Sequence, residues 1–277
     1  MLTENQLASL QRRAREIRLA LLRMMGAGKA HHFGGSLSAV EILVALYFYK
    51  MHYEHGDPGH ADRDRVLLSK GHGVPTQYVC LAMLGVLGED ELPTLKTLGS
   101  RLQGHPDIRK TPGLEAPTGS LGQGLSFANG LAMAARLDGQ SHRVYVLLGD
   151  GELNEGQVWE AAMTTAHQRL DNLTAIVDRN DLQAQGATED RKRLEPLAAK
   201  WAAFGWHVLE ADGHDLRALC DALDQATEVR GKPSVLIART VKGKGVSFLE
   251  GRFQYHNAPL TPEELHRAIA ELEEAKA

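Results

Sequence analysis

The sequence predicts an α/β fold in which a parallel sheet is flanked by helices on both faces. Two observations carry this. From about residue 121 to residue 240, strand-length apolar runs alternate with segments of helical spacing, the order that builds βαβ units. The runs themselves, such as Val144–Leu148 and Leu173–Val177, are unbroken rather than alternating, as strands buried on both faces are.

The elements follow in chain order. Thr3-x-x-Gln6 is a capping-box pattern. Leu7, Leu10, Ala14, Ile17 and Leu21 then recur at helical steps, and Gly26 and Gly28 end the helix. Ser38-x-x-Glu41 reads as the cap of a second helix reaching about Tyr49. That helix is apolar nearly all round, which places it inside the fold or in an oligomer interface. Arg65 to Ser69 reads as a short strand and Pro75 to Leu87 as a helix. A Gly/Pro-rich stretch from Gly99 to Gly124 is long for a loop in a compact domain, and long loops there are often functional. A helix from Leu121 to Leu137 precedes the Val144 strand, and one from Asn154 to Arg169 leads to the Leu173 strand. Helices at Leu194–Phe204 and Leu216–Val229 precede strands at Trp206–Glu210 and Ser234–Thr240. Thr261-Pro262-Glu263-Glu264 opens a last helix, with proline at the first helical position and acids in the first turn. Its tail, Glu271 to Ala277, is expected to fray.

The 277 residues show no internal repeat, low-complexity tract or linker, so a single domain over 1–277 is expected. A formal charge of −4 lacks the basic face that nucleic-acid binding needs, and the clusters Arg12-Arg13 and Arg191-Lys192-Arg193 are short enough to be solvated. Cys80 and Cys220 are too few for a disulfide framework. With no secretory leader and no apolar stretch long enough to span a bilayer, a cytoplasmic protein is expected.

The most informative segment is Gly149-Asp150-Gly151 at the end of one apolar strand, followed by Asn180 at the end of the next. In a right-handed βαβ unit both strands end on one edge of the sheet, so Asp150 and Asn180 converge there. Gly-Asp-Gly alone is explained as well by a tight turn; the ordered context of strand, turn, helix, strand and Asn points further. Both side chains offer hard oxygens, and magnesium prefers few protein ligands plus phosphate oxygens. The inference is a site for a magnesium-bound diphosphate.

A histidine taken singly is usually a surface or core residue. Four here, His32, His72, His105 and His256, lie within three residues of a glycine or proline in segments read as loops. Imidazole can donate, accept or shuttle a proton near neutral pH, which suits a site handling hydroxyls and phosphate. Pro117-Thr118-Gly119-Ser120-Leu121-Gly122-Gln123-Gly124 runs into a helix, where backbone N–H groups could meet an anion or simply form a glycine-rich helix entry. It matches neither the Walker loop nor the dinucleotide fingerprint.

The span from Gly-Asp-Gly to Asn, thirty residues on, resembles the cofactor motif of thiamine-diphosphate enzymes. Adding Gly34-Gly35-Ser36-Leu37-Ser38, the stretch Arg63 to His72, Leu102 to Pro106, Thr118 to Gly124, Gly149 to Gly156 and Lys242-Gly243-Lys244-Gly245-Val246-Ser247-Phe248, the chain resembles the N-terminal, diphosphate-binding part of transketolase from about Arg12 to about Pro259. The resemblance implies roles. Asp150, Asn180 and the backbone carbonyl of Leu182 would bind magnesium, with calcium or manganese as substitutes. His72, Gly119, Ser120, Leu121, Gly151 and Asn180 would line thiamine diphosphate. His32, His105 and His256 would face the sugar and its reacting hydroxyls, and Glu155 would lie in a subunit interface near the cofactor pyrimidine.

Three departures stand out. His31-His32-Phe33 replaces a Gly-His-Pro type of turn, Asn257 replaces a common glycine, and Leu182-Gln183-Ala184-Gln185-Gly186 lacks the acid and the large apolar side chain usual in Leu-Gln-Ile-Asp-Gly. The last predicts looser packing over the thiazolium. The family's pyrimidine-binding domain, with the glutamate that addresses the aminopyrimidine and most groups that grip sugar phosphate, lies C-terminal to this part. The resemblance therefore implies the N-terminal subunit of a split transketolase. In an α2β2 assembly with a C-terminal subunit, it would move a two-carbon ketol unit between sugar phosphates. The alternatives are a subunit of another thiamine-diphosphate enzyme, of the deoxyxylulose-phosphate-synthase or 2-oxoacid-dehydrogenase kind, and a non-catalytic cofactor-binding scaffold.

Overall fold

A computed structural model describes residues 2–274. The elements are α1 Glu4–Met25, α2 Phe33–Leu37, α3 Val40–Ala45, β1 Arg65–Leu68, α4 Val74–Met83, α5 Gly124–Leu137, β2 Val144–Gly149, α6 Gly156–His167, β3 Leu173–Arg179, β4 Leu182–Gln183, β5 Gly186–Ala187, α7 Thr188–Arg191, α8 Leu197–Ala203, β6 His207–Asp212, α9 Leu216–Glu228, β7 Ser234–Arg239 and α10 Pro262–Glu274. The last three residues of the tail expected to fray lie outside the described residues.

Five strands form one parallel sheet in the order β1-β2-β3-β7-β6. Burial on both faces explains their continuous apolar sequences. Val66, Leu68, Tyr145, Leu147, Ile176 and Leu236 join a core with residues of α1, α3, α4 and α9. Their strand neighbours Leu67, Val144, Val146, Leu148, Ala175, Val177, Val235 and Ile237 face the opposite core, built from α5, α6 and α8. The chain steps outward through β1, β2 and β3, then starts again at the far edge with β6 and returns through β7. Its direction therefore reverses between β3 and β7, the kind of switch point at which open parallel sheets bind ligands. Gly149 pairs with Asp178, and Arg179 with Arg239, so β2, β3 and β7 end level.

Several expected boundaries move. The Ser38 cap is not formed: Ala39 is the N-cap of α3, while the Ser38 hydroxyl donates to the Asp178 carboxylate (2.6 Å). The single apolar helix expected from Ser38 to about Tyr49 is instead α3 followed by a π turn over Leu46–Lys50, and a separate short helix, α2, precedes Ser38. A buried acid out-competes the local cap for the serine. Its burial is within the fold. The helix of Val74 stops at Met83, before Gly85 at φ +73°. Those expected from Leu121, Asn154 and Leu194 begin at Gly124, Gly156 and Leu197. The Thr3 capping box is present: Gln6 N donates to Thr3 Oγ1 (3.3 Å) and Thr3 N to Gln6 Oε1 (3.0 Å). Residues 95–123 hold no helix or strand, as the glycine and proline there predict.

Candidate active site at the carboxyl edge of the sheet

The ends of β1, β2, β3 and β7 surround a cavity of about 260 Å³. Asp150, Gly151, Asn180, Leu182, Leu121, Glu155, His72 and His256 all line it. Asp150 is 2% exposed, and its oxygens accept from Gly151 N (2.7 Å) and Asp181 N (2.6 Å). Asp181 reaches it from a left-handed turn, φ +65°. Burial and the neighbouring Asp178 carboxylate push the Asp150 carboxyl up to about 6, against the pull of Arg179. Asn180 Oδ1 accepts from Leu182 N (3.3 Å), which folds the loop back toward Asp150.

The histidines assemble although they come from four segments. His32 precedes α2, His72 lies in the turn after β1, His105 in the long loop and His256 in the turn over Phe253–His256. Backbone bonds between His31 and Ala258 bring the first and last together. The His32 ring is 5.0 Å from His72, 5.3 Å from His256 and 5.9 Å from His105. Burial, then the neighbouring imidazoles, lowers His32 to about 3. Burial, then Lys242 and Lys70, lowers His256 to about 4. Both rings are therefore neutral at pH 7, each with one donor and one acceptor nitrogen. That suits hydroxyl groups. Gly119 backs onto His105: a Cβ there would stand 2.9 Å from its Cδ2, at a φ of +141° that side chains avoid.

At the glycine-rich helix entry two of the backbone N–H groups already have protein partners. Gly122 N donates to Glu152 Oε1 (2.8 Å) and Gly124 N to Ser69 Oγ (3.1 Å). The buried Glu152 also accepts from Gly149 N (3.0 Å). It takes the place an anionic phosphate could have had at the Gly122 N–H, and it ties the 119–124 loop to the Gly-Asp-Gly turn. Of Gly119, Ser120 and Leu121, only Leu121 lines the cavity; Ser120 is exposed.

Two lysines were not foreseen as site residues. Lys70 is buried against Asp178 in an ion pair and donates to Gly35 O (2.8 Å). Lys242 is 3% exposed and lines the cavity. Its ammonium donates to Leu182 O (3.1 Å) and Gln183 O (3.4 Å), and among the described residues it forms no salt bridge. Burial and Lys70 lower it to about 8, with Asp150 opposing. Lysines are usually solvated, so composition hides them; the one signal was the glycine on either side of Lys244 and after Lys242.

These groups fit a metal diphosphate. A buried ammonium without an acid partner favours an anion. A buried carboxylate raised to about 6 favours a cation. Among the described residues no cluster of three or more His, Cys, Asp or Glu could hold a metal alone, so phosphate oxygens would complete the shell.

Fold and site define a domain that grips a diphosphate-bearing cofactor at the carboxyl edge of a parallel sheet. A family model described as transketolase, thiamine diphosphate binding domain, matches residues 9–273. The chain belongs to the transketolase family, as its thiamine-diphosphate-binding domain. It is 46% identical over 276 residues to a 6-deoxy-6-sulfo-D-fructose transketolase subunit of Clostridium sp. (strain MSTE9), covering 100% of both chains. It is 45% identical to an apulose-4-phosphate transketolase subunit of Actinobacillus succinogenes, covering 96% of each. The solved transketolase from Leishmania mexicana superimposes with a TM-score of 0.90 at 35% identity, covering 96% of this chain and 42% of that one.

Proposed function

We propose that this chain is the diphosphate-binding subunit of a split transketolase, with magnesium and thiamine diphosphate as cofactors. With a separate C-terminal subunit, in an α2β2 assembly in the cytoplasm, it moves a two-carbon ketol unit from a ketose phosphate to an aldose phosphate. The observation that carries this reading is the pairing of Asp150 with an acid-free, buried Lys242 across one cavity at the strand ends. The full-length match to relatives named as transketolase subunits supports the split.

Asp150, Asn180 and Leu182 O would hold the metal, and the Lys242 ammonium, which in the structure donates to Leu182 O, would turn to the diphosphate and neutralise its charge. Bound there, thiamine diphosphate supplies a thiazolium carbon able to add to a ketose carbonyl. The neutral imidazoles of His32, His105 and His256 would orient the sugar hydroxyls and hold or pass their protons. His72 would pack beside the cofactor, and Glu155, exposed at the rim, would meet the partner. The test is co-purification from the native source, identification of the partner, and assay of two-carbon transfer by the complex. Cofactor binding without transfer would identify a scaffold instead, and transfer from a 2-oxoacid alone would identify another thiamine-diphosphate enzyme.

A further inference from the structure

The segment that carries Lys242 has no regular structure of its own, yet its ammonium is fixed in the cavity. Its anchors are residues that do not line the cavity. Glu41, on α3, is 6% exposed and accepts from Arg18 through both oxygens, Nη1 at 2.5 Å and Nη2 at 2.7 Å. Arg18, on α1, also donates its Nε–H to Lys244 O at 3.0 Å. His214, in the turn before α9, stands 2.8 Å from Glu41 Oε2 through Nδ1. Its Nε2 accepts from Val241 N at 2.8 Å, so the proton is on Nδ1 and the ring donates to Glu41. One carboxylate thus orients two side chains. Those side chains grip the backbone on both sides of Lys242, at 241 and 244. From the other direction Gly243 N donates to Gly34 O (3.0 Å), and a Cβ on Gly34 would stand 2.8 Å from Lys242 Cγ. The lysine stem is clamped between α2 and its own loop.

We propose that Glu41 is a positioning residue for the cofactor site: through Arg18 and His214 it fixes residues 241–244 so that the Lys242 ammonium is presented to the diphosphate. This rests on the reading that the cavity takes a metal diphosphate. It goes beyond that reading in assigning affinity to a residue that touches neither cofactor nor metal. The physical reason is that an ammonium on a four-carbon stem carries a large rotamer entropy, and a preset backbone lowers the cost of ordering it.

Calorimetric titration of the purified chain with thiamine diphosphate and magnesium tests this, with thermal unfolding measured alongside. The variants are Glu41→Gln, His214→Ala, Lys242→Met and the two doubles with Lys242→Met. Glu41→Gln and His214→Ala should each weaken binding on the order of tenfold, the scale seen when a group that orients a ligand loses its partner. Each double should bind no more weakly than Lys242→Met alone, because the perturbation acts through a side chain already removed. Glu41→Gln is expected to lower the unfolding midpoint in either case, but a merely structural role would also add its loss of affinity to that of Lys242→Met; additivity in the doubles therefore overturns the proposal. Unchanged affinity in both single variants also overturns it. Unchanged affinity in Lys242→Met would remove Lys242 from the cofactor site, a failure of the underlying reading that is distinct from additivity. If Glu41→Gln does not fold, the His214→Ala arm decides, since that side chain is partly exposed and its loss leaves the Arg18–Glu41 pair intact.

Discussion

Asp150 and Asn180 differ in charge, and that difference sets what each should contribute. Asp150 is a buried carboxylate held near 6 by desolvation and by Asp178, so a cation at its oxygens relieves an existing electrostatic cost. Asp150→Ala should abolish magnesium-dependent binding of thiamine diphosphate, a loss beyond the roughly 100-fold ceiling of outer-shell changes. Asn180→Ala removes a neutral ligand and should cost less. Calorimetry with and without magnesium checks both, and native affinity in Asp150→Ala would refute the assignment. His32→Ala and His256→Ala should fold and bind cofactor but lower kcat/KM of the reconstituted enzyme by about 10²–10⁴-fold, the usual worth of a positioned proton-handling group. Wild-type kinetics in both would make them structural. Much of this site was legible in sequence because its chemistry sits in short glycine-flanked motifs. Lys70, Lys242 and Glu152 were not, because their roles come from burial, and burial is set by segments far apart in the chain. The same holds for Ser38, whose partner Asp178 lies 140 positions away.

The elements hold the site through two buried polar ties. Lys70, just after β1, pairs with Asp178 near the end of β3, and Asp178 also accepts from Ser38 and Thr240. This joins α2, two strands and the loop after β7. Removing one charge leaves the other buried and unpaired, so Lys70→Met should destabilise by about 3–5 kcal/mol in urea unfolding. The second tie is Glu41. Burial would raise its carboxyl, but Arg18 and His214 hold it down, from 4.5 to about 2. The sign follows: a depressed folded-state pKa gives stability that is whole above pH 4.5 and fades as pH falls toward 2. The stability gap between wild type and Glu41→Gln should therefore be largest near neutrality and shrink below about pH 4.5, as read from urea midpoints across that range. A gap constant with pH would contradict it. The strands that carry these ties were readable because parallel strands covered on both faces are plain apolar runs. The hairpin of β4 and β5 was not, since two-residue strands leave no period to detect. The short α2 was not foreseen, because the capping pattern at Ser38 sets the helix start after it, and that serine is used elsewhere.

At the scale of the molecule, the candidate site looks like one wall of a larger one. Its closed side is the sheet edge, with the residues proposed for metal and diphosphate. Its rim is Glu155 and Leu121, the latter 37% exposed, and close by in sequence Phe127 on α5 is 46% exposed. His32 and His256 are neutral near pH 7 and Asp150 is committed to Gly151 N and Asp181 N, so the groups at the sheet edge bind and orient, while Glu155 at the rim is expected at the subunit interface and not as the acid that addresses the aminopyrimidine. The family resemblance assigns that acid, and the main grip on sugar phosphate, to the pyrimidine-binding domain. The prediction is that the purified chain alone shows little or no ketol transfer at any thiamine diphosphate concentration, while still binding the cofactor weakly. Addition of the proposed C-terminal subunit should restore transfer and tighten cofactor binding together, because two ligands that favour one assembled state must favour each other equally. The assay is two-carbon transfer from a ketose phosphate to an aldose phosphate, run with and without the partner, beside titrations of cofactor in both conditions. Full turnover by the isolated chain would show that the split-enzyme reading is wrong, and restored transfer with unchanged cofactor affinity would show that the partner acts on the sugar and not across the cofactor.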